Sequence, residues 1–248
     1  PGEIDDAVAE LREAGHLALY HQVFSESPHA SVAYPPEPTA IQEAGFKKLW
    51  EVTSPLLGSG ALAARSAQLL NLTDLARDLG VAVNTAKAWL SVLEATYQVT
   101  VLRPYFANVG KRLVKTPKVY FTDVGTLCYF AGLKDPAHAA SGPMGGAIME
   151  TAVLSEIVKT LTHRGIDPQV YFWRTVAGTE VDIVVKAGAK LVPIEVKLSA
   201  TPRSAMASAL KTFQRDFGDK VVEGYVVHPG NITLPLGSGI TALPFSEL

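Results

Sequence analysis

The stretch from Glu180 to Lys197, EVDIVVKAGAKLVPIEVK, constrains the fold more than any other. Val181, Ile183 and Val185 alternate with Glu180, Asp182 and Val184, the period of a half-buried strand. Ile194, Val196 and Leu198 alternate in the same way with Glu195 and Lys197. The link Ala187-Gly188-Ala189-Lys190 suits a two-residue hairpin turn with glycine at its first central position. Pairing Ala187 with Lys190 then sets Asp182 directly opposite Glu195. Carboxylates so placed stand roughly 5 Å apart, and like charges in that relation are destabilising. A divalent cation would compensate them, with Lys197 beside it on the same face.

Composition limits what such a pair can mean. A chain of 248 residues forms one large domain or two small ones, with room for a core. Hydrophobic residues at 48% and charged residues at 19% describe a globular chain, not a disordered one. The net charge of -2 gives no global sign of nucleic-acid binding, so any basic surface must be local. The single cysteine, Cys128, excludes an intramolecular disulfide and fits a reducing cytosol, so a cytoplasmic location is expected. No apolar run approaches the roughly 18 residues of a membrane span, and the start lacks the regions of a signal peptide. Beginning at Pro1 without methionine is consistent with a piece of a longer protein.

Three parts follow from the punctuation. Residues 1–60 read as a helical segment with a proline-rich linker. Ile4, Val8 and Leu11 mark a helix over 4–24 with a break at Gly15. SESPHASVAYPPEPTA, residues 25–40, reads as an exposed connection. A further helix is expected over 41–57. Residues 61–134 and 140–248 form the other two parts, and no internal repeat is found.

Over 61–134 the pattern is that of a winged helix-turn-helix. ALAARSAQLL is expected as a first helix. TDLARDLG is a second, with Thr73 as N-cap and Gly80 as the stop. NTAKAWLSVLEAT is a third, its inner face marked by Ala86, Trp89, Leu90 and Leu93. YQVTVLRPYFAN and KTPKVYFTD form the strands of the wing. Such a module lays its third helix in the DNA major groove, here presenting Asn84, Thr85, Lys87 and Ser91. Arg103, Lys111, Arg112, Lys115 and Lys118, against Asp123 alone, would neutralise phosphates with little sequence preference. The competing reading is a solvated loop on a module used for protein contact, since fold does not fix function.

Residues 140–248 carry the chemistry. GGAIMETAVLSEIVKTLTHRG is a helix with a buried stripe of Val153, Leu154, Ile157 and Leu161. Glu150 shares that stripe at 3-4 spacing, whereas Glu156 points away. A carboxylate on an apolar face must be paired or bound to a metal. Then come the strand VYFWR, the hairpin, the helix PRSAMASALKTFQRDFG and the strands VVEGYVVHP and ITALPF. The six histidines show no zinc-like pairing.

Glu150, Asp182, Glu195-Val196-Lys197 and this element order resemble the PD-(D/E)XK nuclease superfamily. More closely, residues 69–213 are similar to the C-terminal domain of bacterial and archaeal AAA-type ATPases, through LLNLTDLARDLGV, WLSVLEATYQV, GKRLVKTPKVYFTDVG, FWRTVAGTEVDIVV and IEVK. The resemblance implies a mixed α/β chain, a winged helix-turn-helix followed by a PD-(D/E)XK restriction-endonuclease-like domain. It implies that Asp182 and Glu195 hold Mg²⁺ or Mn²⁺, that Glu150 completes the site and that Lys197 orients water or steadies charge. Arg174 and Glu180 are further candidates for substrate or supporting contacts, and Gln214 approaches or caps the site. The chain has no G-x-x-x-x-G-K-[ST], and NVGKRL lacks its glycine spacing and hydroxyl, so no ATPase activity is expected of it. The expected function is a DNA-binding, Mg-dependent nuclease. The alternative is a non-catalytic DNA- or protein-binding C-terminal half of an AAA-type protein, with an ATPase domain in cis or trans.

Overall fold

The computed structural model of the chain describes residues 60–106 and 113–248. The helices expected over 4–24 and 41–57, the linker between them, and Lys111 and Arg112 lie outside those residues. The chain is mixed α/β and divides into two compact units. Among the described residues, one holds 60–62 together with Leu72–Gln98, the other Ala63–Asn71 with the described part of Val99–Leu248. The strands expected as a wing therefore fall with the second unit.

In the first unit, α1 (Leu72–Leu79) and α2 (Val83–Ala95) bury Leu75, Ala76, Ala86, Leu90, Val92 and Leu93. Helix α1 starts one residue before Thr73, so that threonine lies in the first turn and is not the N-cap. Gly80, at φ +67°, ends the helix as its sequence position suggests. Ala82 precedes α2 and offers no side-chain cap.

ALAARSAQLL does not form the expected helix. Ala63–Arg65 makes one 3₁₀ turn, Ala67 adopts a positive φ of 61°, and Gln68–Leu69 becomes strand β1. The reason is tertiary. β1 pairs antiparallel with β3 (Lys118–Phe121), Ala67 N–H donates to Val119 O at 2.8 Å, and buried Ser66 meets Thr151 at 3.2 Å. These bonds outweigh a helix propensity that is worth only tenths of a kcal/mol per residue. β3 lies at the centre of a three-stranded sheet, flanked by β1 and β2 (Val99–Leu102), and all four of its residues are buried.

Three helices follow. α3 (Val124–Phe130) is capped by Asp123, whose Oδ1 accepts from Thr126 N–H at 2.6 Å. α4 (Pro136–Ser141) begins with proline at its first turn. α5 (Gly145–His163) is the long helix expected from the sequence. A Cβ at Gly145 would meet Ala140 O at 2.6 Å and Leu198 Cδ2 at 2.8 Å, so the close approach there requires glycine.

A six-stranded sheet completes the unit, in the order β4-β5-β6-β7-β9-β8. β4 (Val170–Arg174), β5 (Glu180–Ala187) and β6 (Lys190–Val196) are antiparallel neighbours. β7 (Gly224–His228) and β9 (Ile240–Pro244) continue in parallel from β6, and β8 (Leu234–Gly237) forms the far edge. β8 is absent from the sequence reading because Pro235 and Gly237 argue against a strand, and both are tolerated at an edge. Helix α6 (Ser208–Phe217) packs Leu210, Phe213 and Phe217 on Trp173, Val181 and Val184, while α5 packs Val153 and Leu154 in a second cluster with Phe172, Ile183 and Val196. Trp173 meets the Phe213 ring edge-on at 5.4 Å.

The hairpin has the register its turn dictates. Ala187 pairs with Lys190 and the ladder runs to Ile183 opposite Ile194, where it ends, so the expected pair of Asp182 opposite Glu195 is not part of it. Gly188 has φ +61°, whereas Ala189 is not among the positive-φ residues, the pattern of a type II′ turn. Simple alternation along β5 does not hold. Tyr171 pairs with Val184 but Trp173 pairs with Val181, so β5 carries one extra residue opposite Phe172. This bulge reverses the facing of everything before it. Val181 joins the α6 cluster while Ile183 joins the α5 cluster. Bulges re-aim side chains in this way.

Candidate functional site

Four elements bring the polar cluster together, with Arg174 coming from the end of β4. β5 supplies Glu180 and Asp182, α5 supplies Glu150, and β3 supplies Lys118 and Tyr120. Lys118 is buried, with only 4% of its side chain exposed. Its Nζ lies 2.9 Å from Glu150 Oε1 and 2.6 Å from Glu180 Oε1, and 5.6 Å from the centre of the Phe172 ring. Tyr120 OH donates to the same Glu150 Oε1 at 2.5 Å. Arg174 Nη1 donates to Glu180 Oε2 at 2.9 Å. Burial works against the charge on Lys118, but Glu150, Glu180 and Asp182 outweigh it and hold its pKa above the ordinary lysine range.

Asp182 joins this group to a second one. Beyond Ile183–Ile194, its Oδ2 accepts from Val196 N–H at 2.8 Å. Burial pushes the Asp182 carboxyl upward, with Lys118 and the Val196 N–H pulling the other way. Its charge acts on Glu150 and on Glu195 alike. Glu195 is buried, and its Oε1 accepts from Lys197 Nζ at 2.5 Å. Glu195 Oε2 is buried without a hydrogen-bond partner. Burial, then repulsion from Asp182, pushes the Glu195 carboxyl up to about 8, against the pull of Lys197. Burial and Asp182 likewise push Glu150 up to about 7, against Lys118.

Counted formally, Glu150, Glu180, Asp182 and Glu195 face Lys118, Arg174 and Lys197, leaving one negative charge. Among the described residues, no group of three or more His, Cys, Asp or Glu stands arranged to hold a metal ion, and ammonium groups take up carboxylate oxygens instead. A cavity of about 420 Å³ opens beside the cluster, its walls including Lys118, Glu150, Arg174, Glu180 and Asp182.

Several expected residues therefore meet and others do not. Arg174 and Glu180 belong to the cluster. Gln214 does not, since its Nε2 donates to Ser238 O at 3.0 Å in the turn between β8 and β9. Lys118, expected on a phosphate-facing surface, turns inward because two carboxylates wait for it in the core. Arg103 and Lys115 are exposed, as are Asn84 and Lys87 on α2, with Thr85 half-buried. Sequence reasoning missed Tyr120 and the true place of Lys118. The signal was a lysine two residues before a tyrosine in KVYF, a strand otherwise fit for a core.

Two family models match separate stretches of the chain. Residues 145–248 match a family model described as Domain of unknown function (DUF4143), which is found in the C-terminal region of AAA-type ATPase-like proteins. Residues 59–137 match another, Domain of unknown function (DUF8612). Uncharacterized protein Rv2008c of Mycobacterium tuberculosis is 32% identical over 189 residues, covering 75% of this chain and 41% of the relative. Uncharacterized protein Mb2031c of Mycobacterium bovis matches with the same figures. The chain thus spans about two fifths of the length of these curated relatives. Among solved structures, protein VC1899 from Vibrio cholerae aligns at 15% identity with a TM-score of 0.26, over 79% of this chain and 48% of that one.

Proposed function

We propose that the chain is a DNA-binding, divalent-cation-dependent nuclease, built as a winged helix-turn-helix followed by a PD-(D/E)XK domain. The observation that carries this reading is the buried, unpartnered Glu195 Oε2, beside Asp182 and Lys197. A buried carboxylate oxygen without a partner is costly, and a donor set made of oxygens suits a hard cation such as Mg²⁺ or Mn²⁺. Asp182 and Glu195 would hold the ion, with Glu150 adding charge from α5. An ion held by these residues would supply a lower pKa for a bound water and an offset to phosphate charge. The chain's own residues do the rest. Lys197, 37% exposed in its side chain, is placed to orient water or meet phosphate charge. Arg103, Lys111, Arg112 and Lys115 would contact backbone phosphates, and Asn84, Thr85 and Lys87 base edges.

A second reading is a non-catalytic DNA- or protein-binding C-terminal half of an AAA-type protein. Lys118 and Arg174 favour it, because together they already balance the Glu150 and Glu180 carboxylates without metal. Incubating plasmid and linear DNA with Mg²⁺ or Mn²⁺ separates the two. Cleavage that disappears in Lys197→Ala and Asp182→Asn is the expected result. Intact DNA under every metal condition would leave the second reading in place.

A further inference from the structure

Glu150 Oε1 and Glu180 Oε1 belong to different elements, yet both lie against one nitrogen, at 2.9 Å as a hydrogen bond and at 2.6 Å as a charge contact without hydrogen-bond geometry. A divalent cation asks oxygens for the same convergence, at about 2.0–2.6 Å. The nitrogen is an ammonium delivered from β3, a strand outside the six-stranded sheet, and its side chain is almost wholly buried. Tyr120 donates to the same Glu150 Oε1, and Arg174 holds Glu180 through its other oxygen, Oε2. The neighbouring cavity opens onto Lys118, Glu150 and Glu180, so an ion from solvent has a path to this point.

We propose that the Lys118 ammonium is a built-in substitute for a second divalent cation and limits the cluster to a single metal. The charges argue for this. With three cationic side chains against four carboxylates, one divalent ion takes the cluster from one net negative to one net positive charge. A second would take it to three net positive charges in a buried setting, where unbalanced charge is most costly. Without Lys118 the cluster starts at two net negative charges, so two ions leave two net positive charges where the wild type would carry three. The second ion then meets the two oxygens that now face the ammonium. The wild-type count of one, at Asp182 and Glu195, rests on the nuclease reading above. The exclusion at Glu150 and Glu180 does not.

The test is a count of bound Mn²⁺, by electron paramagnetic resonance of the free ion, on the full chain. Lys118→Met is expected to bind one Mn²⁺ more than the wild type, and Lys118→Arg the same number as the wild type. Adding Glu180→Gln to Lys118→Met should remove the extra site. An unchanged count in folded Lys118→Met overturns the proposal. A wild type that binds no Mn²⁺ refutes the metal reading above, and the extra ion in Lys118→Met still decides this one. Should Lys118→Met be unfolded without metal, millimolar Mn²⁺ should refold it where KCl of equal ionic strength does not. Failure to refold counts against the proposal.

Discussion

Lys118 Nζ and Glu180 Oε1 lie 2.6 Å apart, although β3 and β5 belong to different sheets. The ion pair ties the three-stranded sheet to the six-stranded one through the polar cluster and not through apolar packing alone. Stability and site chemistry therefore share the same few side chains.

The first consequence is energetic. Removing one partner of a buried ion pair leaves the other charge uncompensated, at a cost of about 3–5 kcal/mol. Lys118→Met should lose that much in urea unfolding at neutral pH, and Lys118→Arg distinctly less. The loss should shrink at pH 5, where Glu150 carries a proton in the fold. A loss below about 1 kcal/mol at pH 7 would mean the pair does not hold the two sheets.

Stability should also fall as pH rises. Glu150 and Glu195 have folded pKa values of about 7 and 8, above the 4.5 of the free side chain. The native state then binds more protons than the unfolded chain between those values. The stabilisation is complete below about pH 4.5 and is lost as pH climbs through 7 and 8. Thermal unfolding from pH 5 to 9 should show this decline, and Glu150→Gln with Glu195→Gln should flatten it. A wild-type curve that rises over this interval would contradict the assignment.

Cation binding should oppose that decline. An ion that binds the native state alone raises the melting temperature by mass action. Millimolar Mn²⁺ or Mg²⁺ should do so for the wild type, most at pH 8. Asp182→Asn or Glu195→Gln should remove the rise, and Lys197→Ala should keep it. Equal shifts in the wild type and Asp182→Asn would show that no specific ion is held there.

The basic residues make a separate prediction. If they contact phosphates, log affinity for DNA falls with log salt, by about 0.9 for each phosphate neutralised on a duplex. Arg103→Ala and Lys115→Ala should each flatten that slope and weaken all sequences alike. Lys118→Arg should leave the slope unchanged, because its charge faces Glu150 and Glu180. An unaltered slope in both alanine variants would point to protein contact instead.

The legible parts of the fold were those fixed locally. A glycine at the first central turn position sets the hairpin register, and 3-4 spacing sets α2 and α5. What escaped was decided by distant partners. The bulge at Asp182 depends on how β4 pairs, and Trp173 and Val181 turn together toward α6. ALAARSAQLL reads as helix until β3 claims Gln68 and Leu69. Lys118 reads as a surface charge because nothing near it in the sequence announces Glu150 or Glu180. The turn pointed to Asp182 opposite Glu195, but the ladder ends at Ile183 and Ile194 and Asp182 bonds the Val196 amide instead. The pairing of Glu150 with Lys118 and Tyr120 had no local signal at all.

The bond from Val196 N–H to Asp182 Oδ2 places a side chain where the β5–β6 ladder would continue with main chain. One rung of the sheet therefore depends on an ionisable group. The Val196 amide becomes a spectroscopic reporter of that carboxylate. Its proton resonance should move as Asp182 titrates, and its exchange with deuterium should quicken in Asp182→Ala while the amide of Ile183 stays protected. A cation drawn to Asp182 would register at the same amide, so the occupancy of the cluster can be followed without DNA and without turnover.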